Sequence, residues 1–85
     1  MDYQKFIDLA KGLVVNFVNE NGTGDEVIDE SQVFVVWLCK ILQNNKALLS
    51  TTLPDGMYYE VTYNGDKREA YIDAYKKVHN QCVVF

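Results

Sequence analysis

Residues 33–63 read VFVVWLCKILQNNKALLSTTLPDGMYYEVTY, and this stretch decides the fold. Three apolar runs are separated by two turn signals. Asn44-Asn45 lies between the first two, and asparagine tolerates the positive φ of a two-residue hairpin turn. Pro54-Asp55-Gly56 lies between the next two. Proline presets φ at the first turn position, and glycine takes the left-handed conformation that closes a three-residue loop. Strands are predicted at about 33–42, 46–53 and 57–63. The first run is apolar on both faces. Asp29-Glu30-Ser31-Gln32 before it has the form of a D-x-x-Q capping box that could open a buried helix. Its β-branched and aromatic content, and the turn that follows at once, favour a strand.

The turns imply a register. A loop at Asn44-Asn45 pairs Leu42 with Ala47, Lys40 with Leu49, Leu38 with Thr51 and Val36 with Leu53. A loop at Pro54-Asp55-Gly56 pairs Leu53 with Met57, Thr51 with Tyr59 and Leu49 with Val61. Opposed residues share a face. The predicted core face is Val36, Leu38, Leu42, Ala47, Leu49, Leu53, Met57, Tyr59, Val61 and Tyr63. The other face collects Trp37, Cys39, Ile41, Leu48, Ser50, Thr52, Tyr58, Glu60 and Thr62. It is mixed, as for an antiparallel sheet with one side in water.

Working outward, residues 2–19 carry a helical stripe of Tyr3, Phe6, Ala10, Leu13 and Phe17, widened by Ile7, Val14 and Val18. Asp2 is the expected N-cap and Gly22 marks the stop. Gly12 either permits close packing on the sheet or is incidental. After the third strand, Asp66 and Glu69 form a D-x-x-E capping box. It predicts a second helix at about 67–80, burying Ala70, Tyr71, Ala74, Tyr75 and Val78. The apolar tail 81–85 is expected to pack into the core or add a short edge strand. The predicted architecture is α+β in the order α-β-β-β-α. It is a single domain, 1–85, with a three-stranded antiparallel meander and both helices on one face.

Charge is unevenly placed. The net charge is −4, and residues 22–33 alone carry −4 through Asp25, Glu26, Asp29 and Glu30. These carboxylates lack calcium-loop spacing, so 20–32 reads as a solvated acidic loop or a recognition surface, with no metal site. An acidic chain is a poor general binder of nucleic acid, whose affinity comes from clustered Lys and Arg. Cys39 and Cys82 are too few for a disulfide framework and read as reduced, buried or half-buried thiols. No stretch is apolar for the roughly 18 residues a membrane span needs, and residues 1–11 lack the pattern of a signal peptide.

Chemistry has little to stand on. The single His79 reads as a surface residue near a helix end rather than a general base. No nucleophile motif, phosphate loop or cofactor signature is present. No catalytic residue is assigned, and the chain is read as non-enzymatic. The α-β-β-β-α order shares its topology with the double-stranded-RNA-binding domain, with Lys67 and Arg68 at the start of the last helix. Trp37 and Tyr58 instead share a row with Thr52 on the polar sheet face, beside Ile41 and Leu48. Trp and Tyr dominate protein–protein hot spots.

Within residues 35–77, the run LQNNKALLSTTLPDGMYYEVTYNGDK and the segment EAYIDAYKK resemble a family of small phage and prophage proteins of Gram-positive bacteria. The likeness covers about half of the chain. The family brings no activity and no site residues with it. The resemblance implies a protein made in an infected bacterium and acting in its cytoplasm. The expected function is that of an accessory protein that binds a host or phage protein. One form would be an inhibitor of a nucleic-acid-handling or defence enzyme, akin to anti-CRISPR proteins. The expected contacts are Asp25, Glu26, Asp29, Glu30, Trp37 and Tyr58. The alternative is a nucleic-acid-binding module using Lys67 and Arg68. No cofactor is implied, and a homodimer through the sheet face or edge is a further expectation.

Overall fold

A computed structural model describes residues 1–21 and 27–85. Its elements are helix α1 (Tyr3–Asn21), a single 3-10 turn (Glu30–Gln32) and strands β1 (Val33–Ile41), β2 (Asn44–Thr51), β3 (Met57–Asn64) and β4 (Glu69–Lys76). The strands form one antiparallel sheet in the order β1-β2-β3-β4. The α+β class stands, with one helix and four strands in place of two helices and three strands.

Helix α1 begins where Asp2 accepts from the Lys5 amide at 2.8 Å. Phe6, Ala10, Val14 and Val18, spaced every fourth residue, are its buried line. They meet Val33, Ala47, Leu49, Tyr59 and Val61 from the sheet, with Ile28 at the rim. Phe17 packs edge-on against Tyr59 with ring centroids 5.7 Å apart. Asn19 grips both backbone groups of Ile28, donating to its carbonyl at 3.1 Å and accepting from its amide at 2.9 Å. That clamp ties the end of the helix to the chain entering the sheet. Gly12 makes no close approach to the sheet; a Cβ there would meet only the Glu30 carboxylate, at 3.7 Å.

The capping box at Asp29 and Gln32 forms, but it opens only one 3-10 turn before β1 begins. Both signals in the sequence were therefore real, and the strand preference limits the helix to that turn. The β1–β2 turn is Leu42-Gln43, not Asn44-Asn45, and Leu42 adopts φ 55°. Leu38 consequently pairs with Ala47, where Leu42 was expected. Leu42 itself is 87% exposed. A bulge between Val35 and Trp37 then inverts the alternation of β1. An extra residue on one strand changes which face the preceding residues address. Val33 and Val35 join the core face with Leu38, while Val36 is exposed. The β2–β3 connection spans residues 52–56, with Gly56 at φ 69°, so Leu49 faces Tyr59 and Ala47 faces Val61. That shift of two residues keeps both strands' faces as expected.

Residues 69–76 are a strand, not a helix. The reason lies in the turn before it. The Asn64 carboxamide accepts from the amides of Asp66 and Lys67, at 3.0 and 3.3 Å. Those amides are donors that a helix cap at Asp66 would orient otherwise. Arg68 takes φ 54° and sends the chain back along β3. The Gly65 amide donates to the Gln43 carbonyl at 3.2 Å, and a Cβ on Gly65 would lie 2.4 Å from that oxygen. The two hairpin turns thus pack side by side only with glycine there. The ladder ends where the Lys77 amide donates to the Gly56 carbonyl at 3.0 Å. Beyond it the tail neither packs into the core nor adds a strand; Val83, Val84 and Phe85 are exposed.

A helix with its side chains is about 10 Å wide, while four strands span about 14 Å between outer axes. Helix α1 packs chiefly on β1, β2 and β3. On the helix side of β4 only Ile72 is half-buried, and Ala70 and Ala74 are exposed.

Candidate functional site: the open face of the sheet

The face turned away from α1 has no layer over it among the described residues. The register sorts its side chains into cross-strand rows. One row is Phe34, Ser50, Tyr58, Tyr75. The next is Trp37, Leu48, Glu60, Asp73, followed by Cys39, Lys46, Thr62, Tyr71. Opposed side chains in such rows lie about 5 Å apart at Cβ. Five aromatic rings thus share one surface, and Phe34, Trp37, Tyr71 and Tyr75 are 48%, 42%, 57% and 53% exposed.

Charge on this face is one-sided. Lys46 pairs with Glu60 at 3.3 Å. Asp73 stands directly opposite Glu60 with no cation in its row. Like charges so placed oppose folding modestly. Glu69 accepts from the Tyr71 hydroxyl at 3.0 Å. That bond and the carboxylate's charge hold the Tyr71 phenol above its ordinary pKa, keeping it a donor. A shallow hollow of about 260 Å³ opens among Cys39, Ile41, Asn44, Lys46 and Thr62. It is lined mainly by carbon and is large enough for an aliphatic side chain.

The predicted contact residues separate. Trp37 and Tyr58 do share the open face, in adjacent rows, with Leu48 and Ser50 as their β2 neighbours rather than Thr52. Asp29 and Glu30 lie with the 3-10 turn, which packs against α1 on the opposite side of the sheet. Asp25 and Glu26 lie outside the described residues. Asp29 is a structural cap: it accepts from the Ser31 hydroxyl and, at 2.9 Å, from the Ser31 amide. These bonds hold its carboxyl below the ordinary range. Lys67 and Arg68 sit in the β3–β4 turn rather than on a helix, so the likeness to the double-stranded-RNA-binding topology does not hold. Tyr71, expected in the core, is on the open face. Cys39 and Cys82 are free and exposed rather than buried. His79 is exposed in the tail, beside Gln81.

Among the described residues no cluster of three or more His, Cys, Asp or Glu side chains could hold a metal ion. No described helix is long and apolar enough to cross a membrane.

The family model for the Family of unknown function (DUF6275) matches residues 7–85. The chain belongs to that family. The match covers α1 from Ile7 onward, the whole sheet and the tail. No curated protein matches the chain, and no solved structure does. The residues missed from the sequence are Phe34, Glu69, Tyr71, Asp73 and Tyr75. A period-two signal was there, in Glu69-x-Tyr71-x-Asp73-x-Tyr75.

Proposed function

We propose that this chain is a non-enzymatic binding module that captures a basic segment of another protein on the open face of its sheet. The observation that carries the reading is the composition of that face. Five aromatic rings lie among three carboxylates, Glu60, Glu69 and Asp73, and, within the paired strands, one lysine, Lys46. Aromatic faces attract cations, and carboxylates pair with guanidinium groups in two-pronged hydrogen bonds. An arginine side chain is the group that uses both at once. The same surface repels phosphates, which weighs against a nucleic-acid partner.

A phage or prophage origin, and a role as inhibitor of a nucleic-acid-handling or defence enzyme, are narrower parts of this proposal. They are supported by the resemblance of residues 35–77 and by chemistry. Enzymes that grip phosphates do so with Lys and Arg, and a carboxylate-bearing face offers those cations a substitute. The acidic loop, Asp25 and Glu26 included, would then add to the encounter rate rather than to the seated contact.

Trp37 is the single tryptophan and lies on this face, so its fluorescence reports occupancy. Titrating arginine-rich peptides against acidic peptides of equal length should shift Trp37 emission only with the cationic set. The response should weaken with salt and fall several-fold in Asp73→Asn. Equal responses to both sets, or none to either, would refute the reading.

A further inference from the structure

We infer that two copies of this chain join through their β4 edges, two-fold related at Ile72, into a continuous eight-stranded antiparallel sheet. The two free edges of the sheet differ. β1 carries the bulge at Val36, which interrupts regular pairing, and Lys40 projects toward the helix side beside Asn45. Bulges and inward charges are the devices that blunt an edge. β4 has no bulge: every residue from Glu69 to Lys76 pairs with β3 without irregularity, no proline interrupts it, and its one helix-side charge, Lys76, stands at the last position of the strand.

Its free backbone groups can be assigned. Lys77 donates back toward β3, to Gly56. In an antiparallel ladder such residues alternate. Tyr75, Asp73, Tyr71 and Glu69 therefore bond to β3, while Ala70, Ile72, Ala74 and Lys76 turn their amides and carbonyls outward. Outward groups of two copies meet only in registers that match even positions with even positions.

Side chains then choose among those registers. With Ile72 opposite Ile72 of the second copy, Ala70 meets Ala74 on the helix side. Asp73 meets Tyr71, and Glu69 meets Tyr75, on the open face. Each carboxylate then faces a tyrosine ring rather than another acid, while the Tyr71 hydroxyl stays with Glu69 of its own chain. The Lys76 and Arg68 side chains come level only at the ends of the ladder, where Arg68 has already left the strand at φ 54°. Centring the axis on Asp73 sets that acid against itself, and centring it on Tyr71 sets Asp73 against Glu69. Centring it on Ala74 puts Lys76 against Ile72. One register is self-complementary, and the others place like charges or a lysine against an isoleucine. This pairing also joins the two open faces into one surface. Its bonds are those of the β4 backbone, and its test reads association of the chain with itself, so it stands or falls independently of the binding proposed above.

The test is sedimentation equilibrium on the whole chain across a concentration series, with a cysteine scan in a Cys39→Ser, Cys82→Ser background. The expected result is a reversible dimer. Ala74→Pro removes an outward amide without touching the β3 ladder, and should sediment as a monomer with an unchanged circular dichroism spectrum. Ile72→Cys should crosslink under mild oxidant, because only Ile72 faces its own copy. Ala70→Cys and Ala74→Cys should crosslink at least ten-fold more slowly. A monomer at every concentration would overturn the proposal. So would an Ala74→Pro variant that dimerises like the parent, or a scan in which position 70 or 74 crosslinks fastest.

Discussion

The two faces of this sheet are made from the same strands and are governed by different demands. Beneath α1, Ala47, Leu49, Tyr59 and Val61 are nearly all excluded from water, and their only task is to fill space. On the other side, Trp37, Tyr71 and Tyr75 leave roughly half of their area in water, and Tyr58 is half-buried beside Tyr75. Burial stabilises at roughly 25 cal/mol per Å², so rings left in solvent contribute little to folding. The covered face should therefore respond to mutation in stability and the open face in association.

The largest effect belongs to the covered face. Leu49→Ala empties a fully buried site and should destabilise the fold by about 2–5 kcal/mol, measured by urea titration. A smaller effect of opposite sign is expected next to it. Asn45 is buried, and its Oδ1 has no hydrogen-bond partner among the described residues. Asn45→Leu keeps the branching and removes the unpaired group, and should stabilise by about 1 kcal/mol. If it destabilises, Asn45 serves a purpose other than packing.

On the open face, Trp37→Ser combined with Tyr75→Ser should cost about 1 kcal/mol through lost strand propensity and cross-strand contacts, well below Leu49→Ala. The same variant should lose its response to cationic peptides, followed by a labelled peptide since Trp37 is gone. A large loss of stability would erase the distinction between the faces. The smallest effect is the acid limb of Asp29. Its folded carboxyl titrates below the unfolded one, so its contribution is complete above the unfolded pKa and is lost as pH falls through the folded value. Asp29→Asn preserves a capping oxygen and should flatten the stability–pH profile below about pH 4 relative to the parent.

Much of the covered face could be read from the chain because burial writes a period. The α1 line of Phe6, Ala10, Val14 and Val18, and the alternation of Ala47, Leu49, Tyr59 and Val61, all follow from one-sided contact with a core. Phase within β1 was harder. Val33 to Ile41 is apolar at consecutive positions, and nothing local marks Val36 as the extra residue. The segment at 69–76 carries two periods at once. Ala70, Tyr71, Ala74 and Tyr75 make a helical stripe, while Ala70, Ile72 and Ala74 alternate with Tyr71, Asp73 and Tyr75. Pairing with β3 settles the choice, and pairing is a tertiary fact that overrides alanine's helix preference. Trp37 and Tyr58 were recognisable on the open face by residue type. Their companions on β4 were hidden by that helix reading.

The bulge at Val36 has a consequence for how the chain finds its alignment. A strand apolar on both sides can slide along its neighbour by two residues and still bury carbon, so slippage is a hazard during folding. With the extra residue fixed between Val35 and Trp37, the two halves of β1 keep opposite phase. Moving the extra residue elsewhere in the strand, or drawing it back into the ladder, would turn one half of β1 to the wrong face, so both halves bury carbon only with the bulge at this place. One irregular residue thus works as a detent: the hairpin clicks into a single setting, and Trp37 is delivered outward every time.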